Sequence, residues 1–357
     1  PDAIDLGKAA AKKIAPELSQ FSIPEEDYLA WREQLATDNA PDVRIAEVQV
    51  KGLKRVSPKY VEAQLENLEP GAEVSIEQIS EDTDRIYATG DFEHVDYKVT
   101  GPAGNKTIEI FPYEKPWGPN FLRFDFGLYA EGSGELMAVL RGEHTRAWMN
   151  KKGGTWNNVV QLGRPTLFTT SLYQPMDEAQ RFFIRPTISY ENSLENIYSD
   201  GNRVARYDLR ETYGELALGA NIGTRAQFTT GLRAGQLQTK RDTGILILPD
   251  EKKERDTAIF LTATYDTRDD IGLPTKGSLA YLKYLHADSW LGGETRYDLA
   301  EGVFTQSFPW RGDSLSLILG AGGLINGVLP PVRDFTLGGI RSFPGLRLDE
   351  LRGTKYW

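Results

Sequence analysis

The sequence contains no cysteine, which excludes disulfides, thiolate metal sites and a cysteine nucleophile together. Its three histidines, His94, His144 and His286, are scattered and leave too little for a zinc centre. No stretch approaches the ~18 uninterrupted apolar residues of a membrane helix, so a helical membrane protein is excluded. Excess positive charge is missing too. The 41 Lys and Arg face 51 Asp and Glu, a net charge of −10, which argues against a nucleic-acid-binding surface. Nothing after Pro1 resembles a targeting signal. What is present in quantity is glycine, at 35 residues, and aromatics, at 11%.

The charge is unevenly divided. Residues 1–117 hold 13 basic and 23 acidic residues, whereas 118–357 hold 28 of each. Gly and aromatics rise after Pro116-Trp117-Gly118-Pro119, which is read as a domain boundary. The chain opens at Pro1 and stops at Trp357 just after a Gly-rich loop, so the expectation is a piece of a longer polypeptide.

Residues 1–36 read as helical. Ile4, Ala11, Ile14 and Leu18 share one helical face, and Pro16 bends or ends that helix. A second helix starts near Pro24 with Glu25, Glu26 and Asp27 in its first turn, where the helix dipole favours acids. Tyr28, Trp31 and Leu35 then fall on one face, and Ala36 to Asp42 form a linker.

Residues 43–115 carry a mixed pattern in the order strand, helix, helix, strand, strand. A strand through Ile45, Val48 and Val50 leads to a helix from Ser57-Pro58 to about Leu68. Ser75 caps a second helix ending at Gly90, and strands follow through Val95, Tyr97, Val99 and through Ile108, Ile110. The corner Ile86-Tyr87-Ala88-Thr89-Gly90-Asp91-Phe92-Glu93-His94-Val95 resembles that of a POTRA domain, the periplasmic module that precedes certain outer-membrane barrels. His94 is read as a packing or solvent histidine.

From residue 120 the period becomes two. Leu122, Phe124, Phe126, Leu128 and Ala130 alternate with Arg123, Asp125, Gly127 and Tyr129; similar runs occupy 228–234, 259–266 and 314–321. Apolar-out, polar-in strands of ~10 residues are the signature of a transmembrane β-barrel. The competing reading is a soluble sandwich, but charges recur on the second face and aromatics sit near strand ends. Strand candidates are 120–131, 134–149, 155–175, 181–198, 203–222, 225–241, 243–249, 256–267, 277–287, 293–308 and 313–326. In 203–222 the apolar face changes parity, so a bulge near Gly214 is expected.

Two motifs bear on function. Tyr265-Asp266-Thr267-Arg268-Asp269-Asp270, with Pro274 to Gly277, resembles a tight turn of the bacterial surface-antigen barrels that accompany POTRA domains. Leu337-Gly338-Gly339-Ile340-Arg341-Ser342-Phe343-Pro344-Gly345 resembles the long loop that in those barrels folds back into the lumen. The resemblance gives Arg341 the role of the loop arginine and Phe343 that of the aromatic, with Ser342 in place of the usual glycine. It also implies an acidic partner on a later strand, and Asp125 is counted as ordinary lumen lining. Residues 1–42 are similar to the end of patatin-like lipase domains, as in the PlpD-like type V secretion arrangement.

The expected fold is thus an α+β POTRA domain, 43–115, and an antiparallel barrel, 118–357, with about 11 of the family's sixteen strands. The resemblance implies an outer-membrane module that secretes or displays its own N-terminal lipase passenger. The alternative is an outer-membrane protein assembly or insertion factor of the same superfamily. No Gly-x-Ser-x-Gly elbow and no legible triad occur, so no catalytic residue, cofactor or metal is expected in this chain. The expected partners are outer-membrane lipid, the passenger and periplasmic strands at a POTRA edge, with self-association left open and no nucleic acid.

Overall fold

The computed structural model describes residues 2–18, 22–37, 43–102, 104–130, 136–270, 272–311, 313–330, 333–339, 343 and 345–357. Three helices come first: α1 (Asp2–Lys13), α2 (Ala15–Leu18) and α3 (Glu25–Thr37). Pro16 sits in the first turn of α2, where its missing N–H costs nothing. Ile14, Ile23, Tyr28, Leu29 and Trp31 are all exposed.

The next unit builds its sheet around a parallel pair. Strand β1 (Val43–Val50) lies between β2 (Glu73–Val74), antiparallel, and β4 (Lys106–Glu114), parallel; β3 (Phe92–Thr100) completes the order β2-β1-β4-β3. A parallel pair needs a crossover, and helices α4 (Pro58–Glu62) and α5 (Ile76–Ala88) supply it. Ser75 and Gln78 close a capping box at the start of α5, and Gly90, at φ 80°, turns the chain out of it. Val61, Ile79 and Ile86 from the helices meet Ile45, Phe92, Ile108 and Ile110 from the sheet, all fully or almost fully buried. The fully buried Asp82 carboxylate accepts the backbone N–H groups of Asn67 and Leu68, each at 3.0 Å, and pairs with Arg85. That capture shortens the expected first helix. It stops at Glu62 rather than Leu68, because its last turn tightens (Gln64 N–H to Val61 O, 3.0 Å) and Asn67 and Leu68 turn to Asp82.

Among the described residues twelve further strands form one antiparallel sheet, and eleven of them, β5 (Asn120–Ala130), β6 (Leu136–Arg146), β7 (Thr155–Leu162), β8 (Thr166–Pro175), β9 (Phe182–Ser199), β10 (Asn202–Ile222), β11 (Ala226–Gly244), β12 (Glu251–Asp266), β13 (Gly277–Ala287), β14 (Tyr297–Trp310) and β15 (Asp313–Gly327), pair in sequence order. A short hairpin, β16 (Phe335–Leu337) with β17 (Leu351–Gly353), follows, and β18 (Lys355–Tyr356) pairs with β15 at Gly322 and Gly323. Among the described residues β5 and β18 are the sheet's two edges.

Two segments differ from the expected strands. The stretch 155–175 is two strands, because Gly163-Arg164-Pro165 makes a tight connection, with Gly163 at φ 107°. The apolar run 243–249 is not a strand of its own. It ends β11 and then turns inward, where Leu248 bonds the buried Tyr207 hydroxyl at 2.9 Å.

No bulge lies at Gly214. It pairs in unbroken register with Ile188 and Ala234, and the irregularities fall at Arg203/Ala205 and Arg206/Tyr207. Odd residues of β10 face inward from Ala205 onward; Tyr207 and Ala217 are fully buried, while Leu216, Leu218 and Ile222 are exposed. What changes is the surrounding medium. The outer face is apolar from Leu216 to Ile222 but polar at Arg206, Asp208, Arg210 and Thr212. The 21 residues of β10 extend ~70 Å, about twice what a tilted strand needs to cross a membrane. Its upper half therefore has water outside. Neighbouring strands agree: Phe228 to Ala234 on β11 and Ile259 to Tyr265 on β12 continue the apolar band, and Lys253 and Arg255 stand above it. Trp156, Tyr265, Phe308 and Trp310 lie exposed near its opposite margin, as an interfacial girdle.

Candidate functional site: a loop anchored inside the barrel

The segment after β15 turns back onto the inner wall. Apolar contacts seat it first: Leu329, 5% exposed, and Phe335 pack with Ala217, Phe260, Leu285 and Leu299, inward residues of β10, β12, β13 and β14. Gly322 makes room for this. A Cβ there would lie 2.5 Å from the Tyr356 ring and 3.1 Å from that of Phe335, whose centroids are 4.8 Å apart.

Charge fastens the same segment at separate points. The Arg333 guanidinium donates to Glu211 of β10 and, at 2.5 Å, to Asp256 of β12. Glu211 also pairs with Arg233 of β11, whose guanidinium lies 4.0 Å over the Tyr213 ring. Asp256 accepts the buried Tyr297 hydroxyl at 2.9 Å. Two arginines, two carboxylates and a phenol from four strands and the loop thus form one node. The carboxylates are mostly buried, so each needs these donors to offset lost hydration. Arg352 of β17 reaches Glu195 of β9 at 2.6 Å, and Arg347 donates to Gly201 O at the β9–β10 tip, 2.8 Å away. Burial pushes the Asp349 carboxyl above its usual range, against the pull of Thr336 and Arg352.

Of the expected loop motif, Ile340, Arg341, Ser342 and Pro344 lie outside the described residues. Gly339 bridges Phe343, which is exposed, and a Cβ at Gly345 would lie 3.4 Å from the Phe343 ring. Gly338, at φ 136°, passes so close to Arg347 O that a Cβ would sit 1.9 Å from it. Arg333 and Arg352 escaped the sequence reading, because their acceptors lie on distant strands. Acids at inward parity, Glu211 and Asp256, were the available signal.

The second motif forms the β12–β13 turn. Asp266 accepts from Arg268 N–H (3.0 Å) and from its guanidinium (2.8 Å). Asp269 accepts the backbone N–H groups of Thr275 (2.9 Å) and Lys276 (3.1 Å) and the Thr275 hydroxyl, and these bonds pull its carboxyl down to about 2. Gly277, at φ 100°, closes the turn where a Cβ would meet Thr267 O at 2.2 Å; Pro274 lies within it and Tyr265 faces outward just before it. Among the described residues its carboxylates bond the turn's own backbone and side chains.

The histidines are likewise structural. His94 stacks on Tyr113 (4.1 Å), His144 contacts Asn120 and Asn158, and His286 bonds Asp298 at 2.7 Å. Among the described residues no three His, Asp or Glu are grouped to hold a metal.

A small α/β domain, joined through five residues to an antiparallel sheet with a lipid-facing band and a loop in its interior, defines a POTRA domain carried by an outer-membrane β-barrel. Sequence comparison agrees: residues 43–111 match the POTRA family described as the surface antigen variable number repeat, and residues 141–354 match the Omp85 superfamily domain. With more than half of its length matched, this chain belongs to the Omp85 superfamily, its barrel in the outer membrane and its POTRA domain in the periplasm. Comparison with curated proteins gave no match. Among solved structures it is similar to BamA from Haemophilus ducreyi lacking POTRA domains 1–3 (TM-score 0.58, 15% identity, 86% of this chain and 60% of that one). It is also similar to CdiB from Escherichia coli (TM-score 0.52, 12% identity, 88% and 60%). The chain therefore spans about 60% of the length of these structures, and the likeness is one of fold.

Proposed function

We propose that this chain is the translocator of a polypeptide that secretes or displays its own N-terminal patatin-like lipase passenger. The observation that carries this reading is the arrangement of one POTRA domain between a helical segment with exposed Ile14, Tyr28 and Trp31 and a barrel whose interior holds an anchored loop. Exposed apolar side chains spread over such a segment suit the end of a preceding domain. The loop closes the interior at rest and moves aside for a chain in transit. Arg341 takes the loop-arginine role that the family resemblance gives it. The POTRA edge strand β3 receives extended segments by strand addition. Hydrolysis belongs to the passenger.

The test is the gene-encoded polypeptide expressed in a bacterium, with the passenger assayed at the cell surface by protease accessibility. Deleting 43–115 should abolish surface exposure while other outer-membrane proteins stay at normal levels. An intact surface signal would defeat the reading, and a general loss of outer-membrane barrels would favour the assembly-factor alternative.

A further inference from the structure

The corner Gly90-Asp91-Phe92, singled out in the sequence, has a partner on the barrel. Trp148, in the periplasmic β6–β7 turn, packs against the POTRA core. Its ring meets that of Tyr60 edge-on at 5.1 Å, and its indole N–H donates to Asp91 Oδ1 at 2.8 Å. Trp148 holds a left-handed backbone, φ 50°, which is unfavourable for a bulky residue unless its surroundings fix it. Two further contacts lie on neighbouring periplasmic turns: the Ser57 hydroxyl donates to Glu178 of the β8–β9 turn, and Arg225 of the β10–β11 turn lies 3.9 Å from Glu66. The three turns are successive, so the domain spans an arc of the rim. The linker is held as well, by Ala147 N–H to Pro119 O at 2.8 Å.

The contacts differ in weight. Glu66 and Arg225 are both about half exposed, a kind of pair that contributes little. The Trp148 contacts are partly buried and combine an aromatic pair with a hydrogen bond to a carboxylate. We propose that Trp148 is the residue that fixes the POTRA domain beneath the barrel rim, clamping the α4 and α5–β3 corners so that the β3 edge is presented in a single orientation. The assignment rests on the interface alone and holds whatever polypeptide the domain receives.

The absence of cysteine allows a clean test in the full chain. Spin labels at Lys98→Cys, on β3, and Lys276→Cys, in the β12–β13 turn, report the position of the domain on the rim; labels at Lys59→Cys and Lys98→Cys report its internal fold. With Trp148 present, the rim pair should give one narrow distance distribution. Trp148→Ala should shift the docked equilibrium by about tenfold or more and broaden the rim distribution, leaving the internal pair narrow. Trp148→Phe, which keeps a ring but lacks the N–H, should fall between. A rim distribution in Trp148→Ala as narrow as in the parent would overturn the proposal. Broadening of the internal pair would overturn it too, by making Trp148 a support of the domain's fold and not of its docking.

Discussion

Replacing Arg333 by alanine tests whether the charged node holds the loop. Breaking a buried ion pair by removing one partner costs about 3–5 kcal/mol, because the other charge is left uncompensated. Here each abandoned carboxylate keeps a second donor: Glu211 still has Arg233, and Asp256 still has the Tyr297 hydroxyl. The lower end, about 3 kcal/mol, is therefore expected, a shift of about a hundredfold between seated and released loop. The apolar seat of Leu329 and Phe335 is untouched, so the barrel should still fold. Limited trypsinolysis after the exposed Arg347 reads the released fraction when opening is fast relative to cleavage. Arg333→Ala should be cut far faster than the parent, and Arg333→Lys, which keeps the charge but cannot span two carboxylates with one planar fork, should lie between. Cleavage of the alanine variant at the parent's rate would refute the reasoning and reduce the node to wall decoration.

Two other outcomes are expected. Asp82→Ala should destabilise the POTRA unit by about 3–5 kcal/mol, since Arg85 and the N–H groups of Asn67 and Leu68 lose a fully buried acceptor; thermal unfolding of the full chain followed by a probe in residues 43–114 would measure it, and a loss under about 1 kcal/mol would contradict the assignment. The Asp269 carboxyl is depressed in the folded turn, so its contribution is present above the unfolded value of ~3.9 and lost as pH falls through about 2; the protection of the Thr275 and Lys276 amides relative to their intrinsic exchange should fall across that window, and unchanged protection would count against the turn geometry.

The sequence carried the architecture well because period-two alternation is written into every strand that has lipid outside it. Where water replaces lipid the rule inverts, and the parity change between Leu209 and Leu216 records the top of the apolar band and not a bulge. Eleven long strands are found among the described residues although two segments were misplaced: 155–175 hides a Gly-Arg-Pro turn, and Ile245 to Leu248 leave the sheet, the first three exposed and the backbone of Leu248 bonded to the Tyr207 hydroxyl. The helix expected to reach Leu68 was cut short by Asp82, a tertiary contact with no local trace. Arg333 was passed over for the same reason. Beside Asp334 it reads as a solvated charge, and its acceptors lie far back in the chain.

The height of the charged node on the wall has a consequence of its own. Glu211 and Asp256 sit at the level where the outer surface carries Thr212 and Arg255, above the band that begins at Leu216 and Ile259. The bilayer grips only the lower part of the barrel. A change in membrane thickness would be absorbed there by tilt or local bending of the lipid and would leave these anchors unstrained. Water, by contrast, lies outside the wall at their height, while the burial of both carboxylates protects these pairs from the screening that weakens exposed ones. The loop is accordingly fastened to the part of the barrel that stands clear of the lipid, and not to the part that the membrane holds.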